Sequence, residues 1–180
     1  MPSQSQLPQR PGPRPHTRTE LPHSQLDQQP GDSRYVDTIL AEALTWPSVL
    51  GQPSQISVEG GRALTLDGRS PSGPAEAFLI GREFCHVHAH GDHSLHATLP
   101  PPLASEAEHA GWAEPHFLVH TGQAPATVVM LYAPRDEAER DVVLQLVRAS
   151  YAFALALEPS APDRDNNSSD RRRGSCLSLS

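Results

Sequence analysis

The sequence predicts a single α+β domain, a mostly antiparallel sheet with helices packed on one face. Helix-spaced apolar residues open and close its core, and short β-prone runs cut by turn residues lie between them. The order is therefore helix, strands, short helix, strand, helix. Not all 180 residues belong to it. Residues 1–31 are mainly Pro, Gln, Ser and Arg, and residues 158–180 mainly Asp, Asn, Ser and Arg. Neither stretch has the apolar surface to offset the entropy of ordering, so both are expected to be disordered tails around a domain at 32–157.

Tyr35, Val36, Ile39, Leu40, Ala43 and Leu44 make the stripe of an amphipathic helix over 33–44, ended by Trp46-Pro47. Strands are expected at 55–58, 62–66 and 77–80, separated by Asp67-Gly68 and by the Ser70 to Pro74 stretch. Two more follow at 83–88 and 94–99. Pro100-Pro101-Pro102 closes that edge, and 103–110 reads as a short helix ended by Gly111. Trp112 and His116 fall in a loop or strand entry. The β-branched run 127–133 reads as a buried strand. Asp136 and Glu139 then form an acidic variant of a capping box, opening the longest helix with a stripe at Ala138, Val142, Leu146, Ala149 and Phe153.

All fourteen basic residues are Arg, which excludes Schiff-base catalysis and a P-loop lysine. The core carries seven Arg against fifteen Asp and Glu, a net charge of −8 that repels phosphate backbones, so no nucleic acid is expected as a partner. Arg171-Arg172-Arg173 beside Ser175 has the make-up of a docking or phosphorylation site, but reads first as an arginine run in a solvated tail. Cys85 in an expected strand and Cys176 in a tail make no disulfide framework. Neither a signal peptide nor a run of ~20 apolar residues is visible, so a cytoplasmic protein without membrane contact is expected.

His86, His88, His90, His93 and His96 fall within eleven residues. Alternate residues of a strand share a face, so His86 and His88 project together. A hairpin through Gly91-Asp92 brings Ser94 and His96 beside them. His90 and His93, at the turn, are expected in solvent. Cys85 alternates away from His86 and reads as a small core residue.

The motifs extend beyond this hairpin. They run from Arg82 to His88, through Asp92-His93-Ser94-Leu95-His96 and Gly111-Trp112-Ala113-Glu114-Pro115-His116, to Leu131-Tyr132-Ala133-Pro134-Arg135-Asp136 with Glu139 and Ala149-Ser150-Tyr151. Together, over roughly 80–155, they resemble the luciferase domain of the fungal bioluminescence enzymes and its small bacterial relatives. That family's fungal members oxidise 3-hydroxyhispidin with molecular oxygen. The resemblance implies a pocket for a polar aromatic substrate built from the matching positions; among them His86, His88, His96 and Arg135 are expected, from their chemistry, to be catalytic, and Asp92, Ser94, Trp112, His116 and Tyr132 to bind substrate. It implies no separate organic cofactor. The chain departs from the family at Ala97, where relatives usually carry a large aliphatic, and in its Pro/Gln-rich N-terminus, where fungal members carry a membrane segment.

Two chemistries suit these residues. In an oxygenase without cofactor, one of the three histidines takes a proton from an enol or phenol, Arg135 pairs with the anion, and oxygen is the co-substrate. In the alternative, His86, His88 and His96, with Asp92 or Glu83, ligate Zn or Fe. A non-catalytic module that binds a small aromatic ligand in the same cleft is the competing class. In the blander reading Arg135 fixes the strand-to-helix turn and Trp112 is a packing anchor.

Overall fold

The computed structural model describes residues 7–157. Six strands form one antiparallel sheet in the order β1-β2-β3-β4-β6-β5: β1 Val49–Pro53, β2 Arg62–Leu66, β3 Glu83–Val87, β4 Leu95–Thr98, β5 Ala113–Pro115 and β6 Val128–Leu131. Four helices accompany them, α1 Arg34–Ala43, α2 Pro101–His109, α3 Phe117–His120 and α4 Glu137–Ala154. The expected α+β architecture is what the chain adopts.

One face of the sheet is apolar and carries α1 and α4. Val36, Ile39, Leu40 and Ala43 of α1 and Val142, Val143, Leu146 and Val147 of α4 share a core cluster with Leu64, Phe84, Cys85, Val87, Leu95, Ala97 and Leu131. The α4 stripe is rotated from the expected one, since Ser150 and Ala154 are buried while Ala138 is exposed. Ser150 is tolerated there because its hydroxyl donates to the Phe84 carbonyl at 3.0 Å. Cys85, fully buried, is a core residue as expected, and burial pushes its thiol pKa up.

Several local expectations are corrected. The edge strand is β1, not 55–58: the Ser54 hydroxyl accepts the Ile56 and Ser57 N–H groups at 3.3 and 3.0 Å, curling that stretch into a loop. Ala75–Ala77 is a 3-10 turn after Pro74, and only Ile80 of the expected 77–80 strand is bridged, to Glu83. Helix α2 starts at Pro101, a residue suited to the first turn, where no N–H is needed. The capping box is half formed. Asp136 accepts from Glu139 N–H at 2.8 Å, whereas the Glu139 carboxylate turns back to the N–H and guanidinium of Arg135.

Composition misleads most in the N-terminal segment. From residue 7 it folds across the domain: the Trp112 indole N–H donates to the Pro8 carbonyl at 2.5 Å, Gln25 Oε1 accepts the buried Ala133 N–H at 2.8 Å, and Arg10 is 7% exposed. The segment adds little apolar area and is held instead by polar side chains that satisfy backbone groups of the core. The expected tail at 158–180, with its arginine run, lies outside the described residues.

Candidate functional site

The opposite face of the sheet carries the histidines. β3 and β4 pair with His86 opposite His96 and Cys85 opposite Ala97, and His88 N–H donates to the Ser94 carbonyl at 2.9 Å, so the expected hairpin register holds. Its turn uses left-handed backbone at His90, Gly91 and His93. His90 is exposed as expected, but His93 is only 9% exposed.

A register irregularity in β3 supplies the first supporting group. Leu64 pairs with Cys85 and Thr65 with Glu83, which leaves Phe84 unpaired as a bulge. In an unbroken strand Glu83 and His86 would point to opposite faces. With the extra residue, Phe84 enters the core and Glu83 reaches the histidine face, where its Oε1 accepts from His86 Nδ1 at 2.6 Å. Ser54 Oγ donates to the same oxygen at 2.9 Å.

That contact orders two rings. With Nδ1 donating to Glu83, His86 Nε2 is an acceptor, and it lies 3.1 Å from His96 Nδ1. His96 Nδ1 therefore carries the proton, and its Nε2 lone pair is left buried without a hydrogen-bond partner among the described residues. His88 is held in a parallel way. Its Nδ1 donates to Asp92 at 2.5 Å, with Ser94 Oγ at 3.3 Å, and Nε2 is the acceptor left over.

His116 enters from the end of β5. It caps α3, its Nδ1 accepting from Leu118 N–H at 3.2 Å, and its ring meets His96 edge-on at 4.6 Å between centroids. The fifth imidazole, His23, comes from the N-terminal segment. It stacks on His96 at 5.4 Å and donates from Nε2 to Glu114 at 2.7 Å; its Nδ1 is buried and unpartnered. These five rings line one cavity of about 710 Å³, with Ile56, Val58, Phe78, Leu79, Leu118 and Val128 among its apolar walls.

Burial sets the charge state. Loss of hydration lowers the pKa of His86 against the opposing pull of Glu83. Burial, then the neighbouring rings, lowers His96 well below the usual histidine range and His116 to about 4. Asp92 and Glu114 are partly buried, which favours protonation, yet hydrogen bonds led by those from His88 and His23 hold both carboxyls below the ordinary range. Three carboxylates thus sit behind imidazoles that are neutral at pH 7 in at least three of the five cases.

The expected site residues divide accordingly. His86, His88, His96 and His116 converge on the cavity. Asp92 and Ser94 stand behind His88 and orient it. Tyr132 is 1% exposed and acts one step further back, its hydroxyl donating to Glu114 at 2.9 Å. Trp112 is a packing anchor, 3% exposed within the core cluster. Arg135 does not line the cavity: the buried Glu139 carboxylate takes its guanidinium, which also reaches the Pro11 carbonyl. Sequence reasoning missed His23 and the supporting roles of Glu83 and Glu114. A lone histidine in a Pro/Gln-rich stretch carries no periodic signal, while Glu114 stood within a quoted motif.

Fold and cluster together define a histidine-lined cavity on one face of an antiparallel sheet. Residues 81–150 match the family model described as Luciferase domain, which shows over that segment the resemblance read from the sequence. The chain is also 34% identical over 74 residues to a luciferase of Armillaria mellea and 36% identical over 74 residues to a luciferase of Neonothopanus nambi. Each match covers 40% of this chain, and the chain spans only 28% of the length of those luciferases. No solved structure matches. Among the described residues no helix is long and apolar enough to cross a membrane.

Proposed function

We propose that this protein is an oxygen-dependent oxidoreductase of luciferase type, acting on a small phenolic or enolic compound in the histidine pocket. The observation that carries the reading is the pairing of His88 with Asp92. A partly buried carboxylate holding Nδ1–H leaves Nε2 as the proton acceptor and stabilises the imidazolium that forms, the arrangement of an oriented general base. The cavity has the size and mixed lining of a small-molecule site and suits a polar aromatic ring. Its match to the luciferase domain covers both histidine strands.

The step balances without an organic cofactor. His88 takes the proton of an acidic enol or phenol; the electron-rich anion adds oxygen, which is reduced to the peroxide level as a carbon–oxygen bond forms. The imidazolium then returns its proton to the peroxide oxygen. Buried neutral rings around the anion keep water from competing for it. The work is that of a soluble cytoplasmic enzyme on a diffusible substrate.

The test is incubation with hydroxylated pyrones and catechols under air and under argon, followed by mass spectrometry. Oxygen incorporated only under air supports the reading. A compound that raises the thermal midpoint yet returns unchanged in both atmospheres shows a binding module instead.

A further inference from the structure

Two nitrogens in this cluster have no assigned task. His23 is 2% exposed and His96 5% exposed, and in each the donor nitrogen is engaged while the lone-pair nitrogen is buried and unpartnered. Leaving a buried acceptor unmet is destabilising, because its lost hydration is not replaced. Two such acceptors, on rings stacked 5.4 Å apart between centroids, mark a place for a ligand that accepts lone pairs.

We infer that His23 Nδ1, His96 Nε2 and His116 bind one first-row divalent transition ion, with the remaining coordination position open to the cavity. Nitrogens of these three residues lie within 4.8 Å of one another. Small ring rotations close that span onto an ion with Zn–N bonds of about 2.0–2.1 Å. Neutral imidazoles suit Zn²⁺, Fe²⁺ or Cu²⁺.

The surroundings agree with this donor set. A ligating histidine ordinarily gives its other N–H to a carboxylate, which fixes the tautomer and raises its basicity. Glu114 does this for His23, and Glu83 acts on His96 through His86. Asp92 adds a third carboxylate paired only with a histidine among the described salt bridges. A divalent ion supplies positive charge beside these acids.

The other trio of nearby histidines, His86, His88 and His96, is the weaker candidate. His86 Nε2 already accepts from His96 Nδ1, so ligation there breaks the link that orders both rings. Choosing His116 costs only its 3.2 Å contact with Leu118 N–H. The ligand set spans the domain and its N-terminal segment, so the ion also pins that segment across the cavity.

The full chain, freed of metal with a chelator, is titrated with Zn²⁺ alone and with Co²⁺ alone, without substrate, so this inference and the oxygen reading can fail separately. One equivalent of Zn²⁺ is expected, with visible Co²⁺ bands of low-coordinate type. His23→Gln should weaken binding at least 100-fold, and Glu114→Gln, which removes no ligand, about 10–100-fold. His86→Gln should bind more tightly than His23→Gln. No binding, binding unchanged in both His23→Gln and Glu114→Gln, or loss in His86→Gln equal to that in His23→Gln would overturn the inference. If His23→Gln does not fold, the Glu114→Gln titration decides alone.

Discussion

Glu83 is the buried origin of the hydrogen-bond chain through His86 and His96, and replacing it tests whether that chain exists. Glu83→Ala leaves two donors unmet, the buried His86 Nδ1–H and the half-buried Ser54 hydroxyl, which lie 2.6 and 2.9 Å from Oε1. At about 1–3 kcal/mol each, the loss is about 2–6 kcal/mol before any cavity effect. For a chain of this size that lowers the thermal midpoint by about 5–15 °C. Glu83→Gln keeps an amide oxygen at the same place and loses only the charge assistance, about 0.5–1.5 kcal/mol. Urea unfolding followed by circular dichroism gives both numbers from the shift of midpoint at constant slope. A loss under about 0.5 kcal/mol in the alanine variant, or an equal loss in the glutamine and alanine variants, would show that no such hydrogen-bond chain exists.

Other consequences are equally measurable. Removing residues 1–31 should lower the thermal midpoint, because it strips the acceptors from Trp112 Nε1 and the Ala133 N–H; an unchanged midpoint would mean the segment adds nothing. Gly73→Ala drives a Cβ into the Phe153 carbonyl oxygen, and the cost expected in denaturant titration is about 1–3 kcal/mol. In metal-free protein, stability should fall as pH drops from about 6.5, the ordinary histidine value, toward about 4, the folded value of His116. His86 and His96 are lowered too, so the unfolded chain binds more protons throughout this window. Urea midpoints that stay level or rise across the window would contradict neutral buried rings.

What could be read from the sequence had a period. Alternation along 83–88 and 94–99 placed His86, His88 and His96 on one face, and the pairing of His86 with His96 confirms that geometry. The helical stripe over 33–44 located α1, and the β-branched run 127–133 located β6. Glu83 could not be placed by alternation, because the bulge at Phe84 reverses the parity on which alternation depends. Arg135 looked like an anion partner because its charge was legible and its buried partner one turn along α4 was not assigned to it. His23 and the segment carrying it were invisible for a different reason. Composition reports apolar area, whereas residues 7–31 are attached by side-chain bonds to backbone groups, such as Gln25 to Ala133, and by single polar pairs such as His23 with Glu114.

Oxygen uptake in a sealed electrode, with a hydroxylated pyrone or catechol as substrate, tests the central claim most directly when the chain is compared with His88→Gln and Arg135→Lys. Substrate-dependent uptake is expected, abolished in His88→Gln and, measured per folded molecule, retained in Arg135→Lys. No uptake with any such compound, or uptake that survives in His88→Gln and fails in Arg135→Lys, would contradict that claim.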